Sequence, residues 1–500
     1  MNSAQYVSAL ALVLLATLSA PAADWPQYRH DASRAGFTPE PIAAAPRLQW
    51  THVPQNQPAP AWSDPVREHN LMDFDYAFQT VAAGGLVFFG SSADCRVYAL
   101  DEKTGKAVWS FCTDGPVRFA PAVWQDKVFA ASDDGCVYCL STKDGRLLWK
   151  HRIGPSGDMI IGNGRMISRW PLRSGLAVAD GLVYCTAGMW PTEKTFMCAL
   201  KTEDGAEAWK TEPSEFGPQG YLALNSRFIY VPAGRAPMWV MDRSGGGAHP
   251  IHPLGRSAPM AREDVVITGP QTHSGNENLP VAGGPSFGPR AVCVWAWTPG
   301  MERVIKPAAN GKTAYAFGSN ACYTAGGGKL AAYDFGFNPK WEVDGPRQAY
   351  SVVVADRTVV IGGDKVVALH SADDGKPLGT LAVDGQARGL TVAGGRLFVS
   401  LDTGRIVCFG AEAKTQPAVV STPARDTAAA PDAVQTANAI LKDSGTAKGF
   451  CLLVGAGDLA AELTRRTALN VVCLEADEQK VAAARKSLGE AGLYGARVTV

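Results

Sequence analysis

One eleven-residue run recurs along this chain and limits what it can fold into. Ala99-Leu100-Asp101-Glu102-Lys103-Thr104-Gly105-Lys106-Ala107-Val108-Trp109 returns forty residues later from Cys139 to Trp149, and again from Ala199 to Trp209. Each copy holds a Gly six residues after its first position and a Trp ten after it. A repeat of this period is one supersecondary unit that must stack on copies of itself to bury a core. The first residues end a strand, and Thr-Gly or Asp-Gly makes the turn, where Gly tolerates positive φ. The Trp starts packing on the returning strand. A short apolar strand bounded by Gly or Asp lies ahead of each copy, at Leu86 to Ser91, Lys127 to Ser132 and Leu182 to Cys185. One repeat is then about four short strands, the size of a propeller blade.

Weaker copies continue. Phe228 to Val231 with Trp239 to Asp242 gives a fourth. Val265 to Gly269 starts a fifth, interrupted by a Gly/Pro-rich insertion around Thr272 to Pro299. Ala314 to Phe317 with Leu330 to Trp341 gives a sixth. Val352 to Leu369 with Asp374-Gly375 gives a seventh, and Leu390 to Phe409 three strands of an eighth. Arg47-Leu48-Gln49-Trp50 can supply the missing outer strand, which would pair the two ends and leave no open edge. The expected fold is mostly β, an eight-bladed propeller with seven blades as the alternative. The 53 Gly and 33 Pro suit such short strands and tight turns.

Met1 to Ala23 reads as a signal peptide. Val7 to Leu18 is apolar, and Ser19 to Ala23 supplies small residues for cleavage before Asp24. The apolar run is shorter than the roughly 20 residues needed to span a bilayer. The expected product is exported, to the periplasm or cell envelope, with no transmembrane span after cleavage. Lys plus Arg and Asp plus Glu are 47 each, so no overall field attracts nucleic acid.

The chain has 11 Cys, an odd number. Cys136-Val137-Tyr138-Cys139 lies in an expected strand, where the two side chains point to opposite faces, and His249 and His252 are spaced the same way. Neither pair suits a metal, and no metal site is expected. Cys95 and Cys112 would sit opposite each other if their hairpin turns at Lys103-Thr104. A cross-strand disulfide and two buried free thiols are the two readings of that pair.

The run from Ala99 to Trp109 resembles the tryptophan-docking motif of pyrroloquinoline quinone (PQQ) dehydrogenase repeats, over about Asp24 to Ala411. The resemblance implies a propeller. It does not by itself imply an activity, because such repeats build both quinone enzymes and scaffolds, among them the propeller subunit of the bacterial outer-membrane barrel-assembly machinery. The quinone enzymes cap their cofactor with a disulfide between adjacent Cys residues, and quinohaemoproteins carry Cys-x-x-Cys-His. Neither pattern is present. PQQ is therefore not the expected cofactor. The expected function is a non-catalytic propeller that binds a protein, glycan or envelope partner.

Gly162 to Arg173 stands outside the repeat. Arg165, Arg169 and Arg173 recur at intervals of four, but Pro171 argues against one helix. As a loop at the propeller mouth, Arg165, Arg169, Trp170 and Arg173 would meet an anionic ligand or partner. The bland alternative pairs the arginines with nearby carboxylates and packs Trp170 on a blade.

Residues 412–431, rich in Ala, Pro and Thr, read as a linker. Residues 432–500 read as the first half of a Rossmann-like α/β domain. Phe450 to Val454 is a buried strand, Gly455-Ala456-Gly457 a turn, Leu459 to Thr467 a helix, and Asn470 to Glu475 a second strand ending in an acid. That order cradles a nucleoside: Gly lets the backbone approach, and the acid accepts ribose hydroxyl hydrogens. The pattern resembles motif I of class I S-adenosylmethionine-dependent methyltransferases. On that resemblance Gly455, Gly457 and Glu475 contact S-adenosylmethionine in a longer parent chain, with Asp477 the alternative acid.

Overall fold

The computed structural model describes residues 23–62, 74–213, 217–233, 238–248, 258–263, 265–268, 294–297, 304–308, 314–421, 430–455 and 457–500. The expected signal peptide before residue 23, the His249/His252 pair and most of the Gly/Pro-rich insertion lie outside them.

The repeats form successive antiparallel sheets. The first sheet holds Thr80–Ala83, Leu86–Ser91, Arg96–Asp101 and Ala107–Cys112 in chain order, and the second holds Ala122–Trp124, Lys127–Ala131, Cys136–Ser141 and Leu147–Arg152. Burial falls across each sheet: Thr80–Ala83 is almost wholly buried, whereas Ala107–Cys112 is half-buried to exposed. The apolar cores lie between sheets. Val81, Phe88 and Val97 of the first pack with Val128, Ala130 and Tyr138 of the second. This is the layering of a β-propeller.

The repeated Trp and Gly meet across neighbouring sheets. Trp109 of the first sheet lies on the Gly145 turn of the second, so close that a Cβ at Gly145 would stand 2.5 Å from the indole. Its indole N–H donates to the Thr142 carbonyl at 2.9 Å. Trp149 on Gly205 and Trp209 on Gly246 repeat the contact. Gly145 sits at φ +70°, so a side chain there meets both backbone strain and the ring.

A bulge at Val108 accompanies the Trp and shifts the register by one between Ala99↔Trp109 and Leu100↔Ala107. Cys112 therefore pairs with Arg96, not with Cys95, and both thiols are free. This corrects the register expected for that pair, because the extra residue moves every position beyond it.

The ring closes as the sequence suggested. Arg47–Val53 pairs antiparallel with Ile406–Gly410, and Trp50 lies on Gly105 of the first sheet, its N–H to the Glu102 carbonyl at 3.0 Å. Pro377–Ala393 is one long strand that serves the last two sheets in turn.

The N-terminal segment has a role that the repeats do not reveal. Residues 24–40 visit the innermost strand or turn of each sheet in order. Trp25 exchanges backbone hydrogen bonds with Ala82 at 2.7 and 2.9 Å, and Val123 donates to Pro26 at 2.7 Å. The Gln27 amide exchanges bonds with Val178, both at 2.9 Å. Leu224 donates to Ala32, Ala261 to Ser33, Phe317 to Ala35 and Val354 to Gly36, at 2.7 to 2.9 Å. The Glu40 carboxylate takes the Gly395 N–H at 2.6 Å. Inner strand edges that would otherwise be bare are thus paired. The contacts sit at the ends of these strands, so the segment straps one end of the central channel.

Residues 431–500 form an α/β unit. Lys448–Val454, Ala468–Leu474 and Val498–Thr499 make a parallel sheet in that spatial order. Helices α1 (Pro431–Ser444), α2 (Asp458–Arg466) and α3 (Glu478–Glu490) accompany it. Its core of Leu463, Val471, Leu488 and Tyr494 also takes in Cys95 of the first sheet. The Tyr494 hydroxyl donates to the Thr113 carbonyl at 3.1 Å, and Arg485 pairs with Asp114 at 2.7 Å. Among the described residues, no helix is long and apolar enough to cross a membrane.

The docking contact is measurable. Gly145→Ala is expected to cost about 2 kcal/mol or more, from left-handed backbone strain plus the collision with Trp109. Gly164→Ala, at φ +72° with open space around it, meets the strain alone, about 1 kcal/mol. Equal shifts of the two urea midpoints would show that the ring contact carries nothing.

Candidate functional site

Strand alternation places the first-to-second and third-to-fourth strand turns on the strapped face. The second-to-third turns and the connections between sheets gather on the opposite face. A buried chain of alternating charge lies there. Asp133 Oδ2 accepts from Arg118 Nε at 2.6 Å, and its Oδ1 accepts from Arg173 Nε at 2.7 Å. Arg118 Nη1 continues to Asp75 Oδ2 at 2.7 Å and to the Ala59 carbonyl at 2.8 Å. Arg173 Nη2 donates to Asn163 Oδ1 at 2.9 Å.

All four charged side chains are buried. Burial alone would depress Arg118, but Asp133 and Asp75 raise it above its ordinary value. Burial depresses Arg173 and raises Asp75. Asp75 Oδ1 and Arg173 Nη1 have no hydrogen-bond partner among the described residues. Desolvated ions of this kind persist only while each keeps its partner.

Beneath this chain the inner strands enclose packed aromatic rings. Tyr28 of the strap stacks on Tyr221 at 3.5 Å, Phe119 meets Tyr221 edge-on at 5.0 Å, and Phe74 stacks on Phe119 at 4.6 Å. Arg34 is buried beside them, its Nε donating to the Leu222 carbonyl at 2.6 Å.

The segment singled out in the sequence divides among different roles. Met159–Gly162 and Arg165–Ser168 form a two-stranded hairpin. Arg173 belongs to the buried chain. Arg165 Nη1 donates to the Ala93 carbonyl at 2.9 Å. Arg169 is exposed and pairs with Glu193 at 2.6 Å. Trp170 is buried against Gly154, its N–H on the Glu193 carbonyl. Arg169 and Arg173 thus have carboxylate partners and Trp170 packs on a sheet. The apolar side chains Met159, Ile161 (56% exposed) and Trp190 stand out on the same face.

Sequence reasoning missed Asp75, Arg118 and Asp133, the last because Asp133-Asp134-Gly135 has the composition of an ordinary turn. Asp134 does serve the turn, accepting the Cys136 N–H at 2.9 Å. The second Asp was the available signal, since one carboxylate suffices for such a turn.

A cavity of about 1060 Å³ lies between the first sheet and the α/β unit. His52, Phe78, Phe89, Tyr98 and Phe111 line the propeller side, and Glu475, Val481, Arg485 and Lys486 line the other. Burial lowers His52, and burial with the neighbouring Asp94 raises Tyr98. Val454 and Leu474 are register partners, so Gly455 and Glu475 leave the carboxyl ends of adjacent strands side by side. Gly455 and Gly457 have φ of +105° and +149°, with open space where a Cβ would stand. Asp477 caps α3, accepting from Gln479 and Lys480, so its carboxylate is already engaged.

Residues 47–169 match the family described as outer membrane protein assembly factor BamB, of the PQQ repeat class. The chain is a β-propeller of PQQ-like repeats. The quinoprotein ethanol dehydrogenase of Pseudomonas aeruginosa is 30% identical over 108 residues, which is 20% of this chain and 17% of that protein. BamB of Salmonella typhimurium is 26% identical over 142 residues, 27% of this chain and 34% of that one. These matches span at most about a third of either relative. The crystal structure of quinohemoprotein alcohol dehydrogenase from Comamonas testosteroni superposes with a TM-score of 0.54, at 13% identity, over 84% of this chain and 85% of that one. At that identity the likeness concerns the fold.

Removing the shared carboxylate of the buried chain should be severe. Asp133→Ala leaves Arg118 and Arg173 uncompensated and is expected to cost about 3–5 kcal/mol. Arg169→Ala, an exposed ion pair, should stay within about 1 kcal/mol. Denaturant midpoints test this, and an Asp133 variant as mild as the Arg169 variant would refute the assignment.

Proposed function

We propose that this chain is an exported, eight-bladed propeller of the PQQ-repeat class that binds a partner in the periplasm or cell envelope and is non-catalytic over these residues. The observation that carries the reading is the difference between the two faces. The strap occupies one end of the channel. The other face presents the open-edged hairpin with Met159 and Ile161, and Trp190 beside it. Of protein, glycan and other envelope partners, these exposed apolar groups favour a protein. Similarity to an outer membrane protein assembly factor points the same way.

A bound pyrroloquinoline quinone fits poorly. Both guanidiniums of the buried chain are already held by Asp133 or Asp75, and Arg173 Nη1, without a partner among the described residues, would face quinone carboxylates in a site that also buries these two carboxylates. The space below is filled by Tyr28, Phe119 and Tyr221.

A photo-crosslinking residue tests the face. At Ile161 it should give a partner adduct in envelope extract, and at Lys143, on the strapped face, none. Reconstitution with the quinone and Ca²⁺ should give no dye reduction. Equal adducts at both positions, or quinone-dependent turnover, would overturn the reading.

A second reading concerns residues 432–500 as the first half of a Rossmann-like domain of methyltransferase type. It is favoured by the glycine turn beside Glu475 and by the cavity that Glu475 lines. There Glu475 would accept ribose hydroxyls, and Gly455 and Gly457 would let the backbone approach the nucleoside. The exposed Leu452 and Val454, on one face of the sheet's outer strand, are where further strand and helix units of a longer parent would pack. Calorimetry with S-adenosylmethionine on a longer parent that completes the domain should give heat for the wild type that is lost in Glu475→Ala. No heat in either protein would exclude it.

A further inference from the structure

Most of the cysteines in the described sheets face something other than a cysteine. Cys136 pairs with Arg152 and Cys139 with Phe129 and Trp149. Cys322 pairs with Phe317 and Tyr333, and Cys408 with Trp50 and Phe398. Cys112 is offset from Cys95 by the Val108 bulge, and Cys451 is offset from Cys473 in the parallel sheet. One pair differs. Cys185 of Leu182–Ala187 is the register partner of Cys198 of Phe196–Lys201. Both are buried, and their Sγ atoms stand 3.1 Å apart.

Directly opposed antiparallel residues have Cα atoms about 4.5–5.5 Å apart, inside the roughly 4.4–6.8 Å that a disulfide bridges. Closing the sulfurs to about 2.05 Å therefore needs side-chain rotation and little backbone movement.

We propose that Cys185 and Cys198 are a disulfide modification site, oxidised as the hairpin of Leu182–Ala187 and Phe196–Lys201 folds. The two S–H groups lose their protons, an S–S bond forms between Cys185 and Cys198, and two electrons pass to a disulfide acceptor, protein or glutathione. The acceptor's own S–S bond breaks to two thiols. Both sulfurs are out of reach in the folded chain, so the exchange belongs to the stage when this hairpin is still opening and closing.

The bridge has a consequence for the partner-binding face. It lies two register pairs inside the loop of residues 188–195. That loop carries the exposed Trp190. It also carries Glu193, which holds Arg169 by its carboxylate and Trp170 by its carbonyl. The disulfide would staple the loop's base and fix that corner.

Peptide mapping tests the bridge. The full chain, secreted into an oxidising compartment, is alkylated under denaturing conditions without reductant and then digested with trypsin. Cleavage after Arg173, Lys194 and Lys201 puts Cys185 on Ser174–Lys194 and Cys198 on Thr195–Lys201. The expected result is one linked species, lighter than the two peptides by two hydrogen atoms, that separates on reduction. Recovery of both peptides alkylated would overturn the proposal. So would Cys198 bridged to any other cysteine. The wild-type map decides the matter even if a variant fails to fold. In Cys185→Ser, Cys198 should be recovered alkylated, and its capture by another cysteine there would refute a dedicated pair.

Discussion

The fold depends on one contact made again and again: an indole lying on the bare backbone of a glycine turn in the next sheet. Trp109 on Gly145, Trp149 on Gly205 and Trp209 on Gly246 are the same event, each with an indole N–H on a backbone carbonyl. Gly is needed twice over. Its φ is left-handed, and the ring occupies the place of a Cβ. Trp50 makes this contact with Gly105, so the closure between the two ends of the ring has the chemistry of its other joints. A short strand near the N-terminus can therefore complete the last sheet.

The strap and the buried charges follow from what such a ring leaves unsatisfied. Each sheet turns its innermost strand toward the channel with an unpaired edge, and residues 24–40 supply partners at one end. At the other end, three connections and one turn bring Asp75, Arg118, Arg173 and Asp133 together out of water. Their charges balance, and Asp133 is shared between both guanidiniums. This makes the arrangement intolerant of losing a member, although it is no measure of net stabilisation. The two faces of the propeller are consequently unlike, and the open face is also where the α/β unit docks through Tyr494 and Arg485.

Some of the candidate site could be read from residues alone. The Gly455–Glu475 spacing follows from strand, turn, helix and strand in sequence, and the parallel register sets the two positions at neighbouring strand ends. The arginine segment was legible as an insertion but not as a site. Arg173 went to a carboxylate forty residues earlier in the chain, a pairing that no local pattern encodes. The Cys95/Cys112 register failed because a bulge adds one residue without leaving a clear mark in composition. The register match of Cys185 with Cys198 was equally hidden, since the irregular stretch between them obscures where the hairpin turns.

The sequence by itself determined the repeating unit. Gly and Trp at fixed offsets, with apolar runs before them, specify four short strands and a turn, because backbone sterics and strand periodicity act within a few residues. It also offered Arg47 to Trp50 as the closing strand, since an unfinished last repeat needs a partner. The tertiary structure alone decided which glycine each Trp covers, where the N-terminal segment runs, which arginine meets which carboxylate, and that Glu475 shares a cavity with Phe111. Those pairings join residues far apart in the chain. They are set by ring closure and by the requirement that buried charges and strand edges find partners, and neither constraint operates until the sheets stand side by side.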